Sequence, residues 1–433
     1  MDNRELFAVA GRPIFQSRSP ALFNAAFAAD SYPGLYLRLV APSAGEALSL
    51  FRGLGLRGLN VTAPFKSEMA KLVDELDPEA AKIGAVNTIL AEGSRLKGFN
   101  TDALGAVNAL KEKGIELPGR RYIVLGAGGA GRAAARGLVN EGAFVIIVNR
   151  TAGKAARAAA DVGGQAARVD ELPNLLGATD GLIVAIAGSG TPLDPAVLPE
   201  NLVVLDARYP ESPFAAAASR KGCRVLIGED WLLHQALPAY RLFTGREAPA
   251  AAMAEALREG GSPRKKANVA LIGFSGSGKS AVGAELAALL GLRFADVDAL
   301  IEEREGASVA EIFERRGEET FRESERAVLR NLSRKRGWVL ACGGGAVLDP
   351  EHRLLLRENA TVVWLQASLA SSLARIAPDS RPLLAGSLPD ASVRELWNAR
   401  FFKYAETADL VVGAEGPVRD VVARIHEEIG PSF

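Results

Sequence analysis

Cysteine is scarce in this chain. Cys223 and Cys342 are the only two in 433 residues, and they stand far apart. Two are too few for a disulfide framework or a cysteine-built zinc site, and the scarcity fits a reducing compartment. Neither sign of charge is in surplus: Lys plus Arg and Asp plus Glu both number 51. Nucleic-acid binders usually carry a basic excess, so no nucleic-acid partner is expected. Long apolar runs are missing as well. None reaches the ~18–20 residues that a membrane helix needs. The opening Met1-Asp2-Asn3-Arg4-Glu5 is charged, and no apolar stretch of a secretory signal follows it. A cytoplasmic protein without a membrane partner is the expectation.

What is present is an ordinary globular balance, 48% hydrophobic and 24% charged residues, in a chain long enough for about three domains. Apolar runs at 122–125, 144–148, 182–184 and 202–205 alternate with helical stretches such as the alanine-rich 130–140 and 152–161. Such alternation predicts a parallel sheet and an α/β fold. Residues 259–266, Glu-Gly-Gly-Ser-Pro-Arg-Lys-Lys, have nothing to bury and read as a linker. A fresh apolar strand follows at 269–272. The two sides of this linker are expected to fold separately.

The run Gly126-Ala127-Gly128-Gly129-Ala130-Gly131 fits G-x-G-x-x-G between a strand and a helix. Glycines there permit a tight turn and bring backbone N–H groups to a pyrophosphate at a helix N-terminus. The next strand ends in Asn149-Arg150-Thr151, with Lys154 one turn on. A carboxylate at that place would receive a free ribose hydroxyl, whereas a guanidinium pairs with a 2′-phosphate. The pattern argues for NADP. Before this unit, Ser17-Arg18-Ser19, Asn60 to Lys66, Asn87-Thr88 and Asn100-Thr101-Asp102 are polar clusters in apolar surroundings. Singly they read as caps and turns; together they suit a cleft for a small polyhydroxylated acid.

After the linker, Gly273-Phe274-Ser275-Gly276-Ser277-Gly278-Lys279-Ser280 fits G-x-x-x-x-G-K-S, leading into a helix with apolar Val282, Leu286, Leu289 and Leu290. The backbone of such a loop cradles phosphates, its lysine reaches the β/γ-phosphates, and its hydroxyl ligates Mg²⁺. Asp296 and Asp298 are expected on one side of the next strand, since strand side chains alternate. One carboxylate can then hold Mg²⁺ through water while the other accepts a substrate hydroxyl. Arg322 suits a substrate carboxylate, Gly343-Gly344-Gly345 admits close backbone approach, and Arg381-Pro382-Leu383-Leu384 has the composition of a lid.

These motifs carry two resemblances. The stretch Gly11 to Asn24, the run Asn60-Val61-Thr62-Ala63-Pro64-Phe65-Lys66, then Gly84 to Thr88, Asn100-Thr101-Asp102, the glycine turn and Asn149-Arg150-Thr151 resemble, in this order, the shikimate dehydrogenases. The resemblance implies an α/β substrate domain (1–102 and 230–260) and a Rossmann NADP domain (103–229). It implies that Lys66 and Asp102 are the catalytic pair. Ser17, Ser19 and Thr62 would take the substrate carboxylate, and Asn87, Asp102 and Gln235 its hydroxyls. Tyr209 would complete the pocket and Gly228 would line the nicotinamide. A quinate or broad-specificity dehydrogenase is the alternative within the class, and a non-catalytic module the alternative outside it. Gln16 and Phe23, Ala185-Ile186-Ala187, and Asp230 depart from the family pattern, which commonly has histidines, Asn-Ala-Thr and glycine there. An acid at 230 bears on the cofactor pocket.

Residues 268–433, after a linker at 261–267, resemble shikimate kinase, a P-loop kinase α/β domain. The resemblance rests on the phosphate loop, D-x-D, F-R-x-x-E, the triple glycine, R-P-L-L, and the late pair Arg400 and Tyr404. It implies ATP on Gly276, Ser277, Gly278, Lys279, Ser280, Arg375 and Arg381, and Mg²⁺ held by Ser280 and Asp296. Shikimate would lie against Asp298, Arg322, Gly343, Gly344, Gly345 and Arg400, with Asp298 as base and Lys279 and Arg381 on the transferring phosphoryl group. The implied ligands are 3-dehydroshikimate, shikimate, NADP, ATP and Mg²⁺, with no obligate protein partner.

Overall fold

The computed structural model describes residues 3–188, 190–260, 263, 265–376 and 390–430. They form two compact units.

One unit comprises residues 18–34 and 56–262. At its centre is a six-stranded sheet in the order Arg224–Leu226, Val203–Asp206, Gly181–Val184, Arg121–Leu125, Phe144–Val148, Gln165–Ala167, parallel throughout. Its middle strands are apolar on both faces because both are covered. Tyr122 and Val124 pack with Leu138, Ile147 and Ala158 in one core. Ile123 and Leu125, pointing the other way, pack with Leu172, Val204 and Phe214. Truncating the fully buried Ile123 to Ala is expected to cost about 2–5 kcal/mol. This is the predicted doubly wound arrangement, with helices Gly129–Asn140 and Ala152–Val162 where the alanine-rich stretches lie. The same unit holds the antiparallel strands Gly58–Val61, Thr88–Glu92 and Arg95–Phe99, which bring Asn60 opposite Thr88.

The other unit gathers residues 1–17, 35–55 and 263–433. Parallel strands run in the order Arg293–Asp296, Trp338–Ala341, Asn268–Ile272, Ala360–Gln366, Leu410–Gly413. The sheet does not stop there. Leu410–Gly413 pairs in parallel with Gly34–Val40, Val411 opposite Leu39 and Val412 opposite Val40, and Glu5–Gly11 lies beyond. Two strands from the start of the chain thus extend the sheet that follows the linker. Lys266, at the linker's end, is itself fixed by Thr361 Oγ1 and the Ala360 carbonyl.

Two local expectations change. Asp298 does not stand on a strand: the strand ends at Asp296, whose carboxylate caps helix Val297–Glu305 by accepting the N–H groups of Asp298 and Ala299. An N-cap aspartate satisfies free amides at a helix start, and this outweighs continued extension. In helix Lys279–Leu290, Val282, Gly283, Leu286 and Ala287 face inward, while Leu289 is 53% exposed. The buried face is narrow because the helix covers one sheet face only.

Candidate active sites

In the unit of residues 18–34 and 56–262, Lys66 opens the short helix Lys66–Met69 and Asp102 opens helix Asp102–Glu112. Their side chains meet at 2.5 Å, Nζ to Oδ2, with 14% and 6% exposure. Both are fixed from behind. Lys66 O accepts the Val86 N–H. The Asp102 N–H bonds Asn100 Oδ1, and its carbonyl accepts Trp231 Nε1 at 2.9 Å. Asn87, almost fully buried, donates to Thr101 Oγ1 at 2.9 Å and Gln235 Oε1 at 2.8 Å, and accepts the Thr101 N–H. Asn60 ties in through Thr88 Oγ1 and the Asn87 carbonyl. The predicted Lys66, Asn87, Asp102 and Gln235 therefore belong to one polar cluster. Thr62 is half-buried at the turn that ends in Lys66, and Ser19 is buried as the first residue of helix Ser19–Ala29. Ser17, also buried, belongs to the other unit.

The glycine turn lies against this cluster. A Cβ on Gly129 would sit 2.9 Å from Lys66 Cβ, and one on Gly131 would sit 2.0 Å from the Gly126 carbonyl oxygen. Gly126 has φ +119, where a side chain would also strike the Ala185 carbonyl at 2.4 Å. Gly128 caps helix Gly129–Asn140, and its Cβ position faces open space. This cradle fits a pyrophosphate. Asn149 receives the Ala127 N–H, and Arg150, Thr151 and Lys154 are exposed beyond it. Ala130 lies in the first turn of the helix. Gly228 is buried where a Cβ would meet the Ala207 and Arg208 carbonyls at 2.5 and 2.7 Å.

Three departures acquire a structural account. Phe23 sits in an aromatic cluster, 5.7 Å from Phe243 between ring centres. Ala185 meets the glycine turn through its backbone. The Asp230 carboxylate accepts the Ile227 N–H at the start of helix Gly228–Thr244, so it is occupied as a cap.

Sequence reading also passed over some residues. Arg132, within the glycine-turn helix, donates to Ser67 Oγ at 2.8 Å and the Gly84 carbonyl at 2.9 Å. Its burial lowers its pKa. Fully buried Asp206 holds Arg208 and Ser212 at 2.6 Å each and so fixes the loop that carries Tyr209. An arginine directly after a glycine turn and an aspartate closing a strand were the available signals.

In the other unit a cleft of about 310 Å³ is lined by Gly276, Lys279, Ser280, Asp296, Asp298, Gly344 and Arg375. Gly276 has φ +79, and a Cβ there would overlap the Ser372 carbonyl. Gly278, φ +90, caps helix Lys279–Leu290, and Ser277 is buried beside it. Lys279 Nζ rests on the Gly273 and Phe274 carbonyls at 3.0 and 2.8 Å. Ser280 Oγ lies 2.5 Å from Asp296 Oδ2. That pair offers hard oxygens, which suits Mg²⁺ whose other ligands are phosphate and water.

The triple glycine is where the remaining groups converge. A Cβ on Gly343 would lie 2.8 Å from Asp298 Oδ1, one on Gly344 3.4 Å from Arg400 Nη1, and one on Gly345 2.6 Å from Arg322 Nη2. Arg322 is held by Glu325 at 2.7 Å and Glu318 at 2.9 Å. Burial alone would lower the Arg322 pKa, but the two carboxylates outweigh it and the value rises. Burial raises Glu325, offset in part by Arg322. Arg400 is 3% exposed, and its Nε has no hydrogen-bond partner among the described residues. Tyr404 donates its hydroxyl to the Gly344 carbonyl. Arg375 bonds the Ala414 carbonyl at 3.0 Å. Arg381 lies outside the described residues.

Comparisons with known proteins divide the chain at the linker and not along the two compact units. The shikimate dehydrogenase substrate-binding domain family matches residues 9–89, the shikimate/quinate 5-dehydrogenase family 108–198, and the shikimate 5′-dehydrogenase C-terminal domain family 228–258. The shikimate kinase family matches 275–430. The shikimate dehydrogenase (NADP(+)) of Moorella thermoacetica is 40% identical over 273 residues, 59% of this chain and 92% of its own. The shikimate kinase of Geobacter sulfurreducens is 49% identical over 165 residues, 38% of this chain and 91% of its own. Among solved structures, shikimate 5-dehydrogenase from Thermus thermophilus, in complex with NADP(H) and shikimate, aligns with a TM-score of 0.54 at 35% identity, covering 59% of this chain and 99% of that one.

Proposed function

We propose residue roles on this premise: the chain belongs to the shikimate dehydrogenase family over residues 9–258 and to the shikimate kinase family over residues 275–430. It is a bifunctional enzyme. Its first part is an NADP-dependent dehydrogenase that reduces 3-dehydroshikimate to shikimate, and its second part uses ATP to make shikimate 3-phosphate.

In the dehydrogenase, Gly126 to Gly131 hold the NADP pyrophosphate and Asn149, Arg150, Thr151 and Lys154 its 2′-phosphate. Gly228 lines the nicotinamide. The bound cofactor supplies the hydride. The ketone oxygen then needs a proton, and the Lys66 ammonium gives it, with Asp102 holding Nζ in place and receiving a substrate hydroxyl. General acid catalysis of this kind is worth about 10²–10⁴ in rate. Ser17, Ser19 and Thr62 take the substrate carboxylate; Asn87 and Gln235, already joined, take hydroxyls; Tyr209 closes the pocket. The observation that carries this is the buried Lys66–Asp102 pair against the glycine turn.

In the kinase, Asp298 orients the attacking hydroxyl and takes its proton. Arg322 and Arg400 bind the shikimate carboxylate above Gly343 to Gly345. Gly276, Ser277, Gly278 and Lys279 surround the phosphates, with Lys279 exchanging the loop carbonyls for phosphate oxygen. Ser280 and Asp296 hold Mg²⁺, which lowers the charge on the phosphates. Arg375 would stack on the adenine, and the resemblance assigns Arg381, outside the described residues, to the phosphoryl group. Positioning and charge account for most of the catalysis. The carrying observation is the meeting of Asp298, Arg322 and Arg400 around three glycines.

The ligands in this reading are small molecules, and its setting is the cytoplasm; among the described residues no helix is long and apolar enough to cross a membrane. The test supplies 3-dehydroshikimate, NADPH and Mg-ATP together. Shikimate and then shikimate 3-phosphate should form in sequence. Unchanged NADPH, or accumulation of shikimate with ATP intact, overturns the corresponding half.

A further inference from the structure

The kinase family match runs to residue 430 and so includes the last helix, Val418–Ile429. The carboxylate of Glu428 on that helix is buried and reaches the start of the chain. Its Oε2 accepts the backbone N–H groups of Ile14 and Phe15, each at 2.8 Å. These two residues begin the turn that the Ser17 N–H closes on the Ile14 carbonyl. Arg38 also donates to the Ser17 carbonyl, at 3.0 and 2.7 Å. Neighbouring contacts follow the same seam: Arg12 with Glu427 at 2.7 Å, and the parallel pairing of Leu410–Gly413 with Gly34–Val40.

We propose that Glu428 is a positioning residue of the dehydrogenase: from the kinase's last helix it sets the turn that presents Ser17 to the substrate carboxylate. This rests on the proposed role of Ser17. A buried N–H stripped of its acceptor keeps the full cost of desolvation. Two neighbouring ones left so would let the turn swing toward another acceptor and move the serine off its line. Substrate affinity, which the serine serves, should suffer more than turnover, which Lys66 and Asp102 serve.

The experiment uses full-length protein bearing Glu428→Ala, Glu428→Gln, Ser17→Ala, or Ser17→Ala with Glu428→Ala. Dehydrogenase KM for shikimate and for NADP, dehydrogenase kcat, and kinase KM for shikimate are measured on each. Glu428→Ala should raise the dehydrogenase KM for shikimate about tenfold, leave KM for NADP and the kinase KM near wild type, and change kcat by less than about threefold. Glu428→Gln keeps one oxygen able to accept both N–H groups and should restore most of the affinity. The double variant should be no worse than Ser17→Ala alone. A raised KM in Ser17→Ala beside an unchanged KM in Glu428→Ala overturns this inference and leaves the Ser17 reading standing. An unchanged KM in Ser17→Ala overturns both. Should Glu428→Ala fail to fold, Glu428→Asp, which withdraws the oxygen by one methylene, decides in its place by the same measurements.

Discussion

The two sites differ in what their polar groups are paired with. Around Lys66 and Asp102 the protein pairs the polar atoms with one another: Asn87 with Thr101 and Gln235, Asn60 with Thr88, Asp102 with Asn100 and Trp231. Around the triple glycine and in the phosphate loop, some buried polar atoms have no protein partner among the described residues: Nε of Arg400, Oε1 of Glu325 and Oγ of Ser277. The chemistry accounts for the difference. Moving one proton at a fixed carbonyl needs a donor whose direction is set in advance, so the pocket is locked. Phosphoryl transfer gathers several negative charges from two ligands, so cations are collected there: Lys279 on the loop carbonyls, Arg322 between Glu318 and Glu325, and Arg400 with its Nε unpartnered among the described residues.

The largest effects should come from breaking that comparison at its centre. Lys66→Ala should reduce dehydrogenase kcat/KM at least ~10³-fold and leave the kinase within a few-fold of wild type, while Asp298→Ala should do the reverse. Separate NADPH-oxidation and ADP-release assays check this. Loss of both activities in a folded Lys66→Ala protein would show that the sites are not separate. Next in size is Gly345→Ala. Its Cβ would stand 2.6 Å from Arg322 Nη2 and push the guanidinium off the carboxylate, so KM for shikimate in the kinase should rise about 10–100-fold, with KM for ATP barely changed. An unaltered KM would mean that the open space is not the shikimate site.

A smaller change sharpens the cofactor end. Arg150 is exposed and would pair with a 2′-phosphate that is itself solvated. Arg150→Asp should therefore weaken NADP use about 10–50-fold and leave NAD use nearly unchanged. Equal wild-type efficiency with NAD and NADP would remove the ground for the assignment.

Motifs that owe their form to backbone geometry were legible in the sequence. The two glycine loops fall between strand and helix as read, because positive φ and close approach restrict the residue type there. Lys66, Asp102, Asp298, Arg322 and Arg400 were legible only as members of ordered motifs, since nothing in one residue says what it will face. Asp298 shows the limit: strand alternation placed it on the right side for the wrong reason, and a helix cap put it there. The pairing of Leu410–Gly413 with Gly34–Val40 left no readable trace. Edge strands join through N–H and C=O groups that every sequence carries, and a polar linker says nothing about edges distant from it. Glu428 was invisible for the same reason, since its partners are backbone amides 413 and 414 positions away.

The smallest expected effect tests the locked region's periphery. Glu79, on helix Pro78–Ile83, accepts Arg136 Nε at 3.1 Å and Asn140 Nδ2 at 3.0 Å from the glycine-turn helix. The Arg136 hydrogen bond, helped by Asn140 and Lys82, holds the Glu79 carboxyl at about 2, below its ordinary 4.5. A carboxyl whose folded value lies below its unfolded value stabilises the folded state above the unfolded one, and the benefit fades as pH falls from about 4.5 through about 2. The side chain is 41% exposed, so solvent screening reduces the full shift to about 0.5–1 kcal/mol. Glu79→Gln should lower the stability of the NADP-responsive unfolding transition by that amount at pH 7. The transition is identified by its upward move when NADP is added. The gap between variant and wild type should narrow steadily below pH 4.5 and close near pH 2. A gap of the same size at pH 7 and pH 2.5 would show that Glu79 acts there through packing and not through its charge.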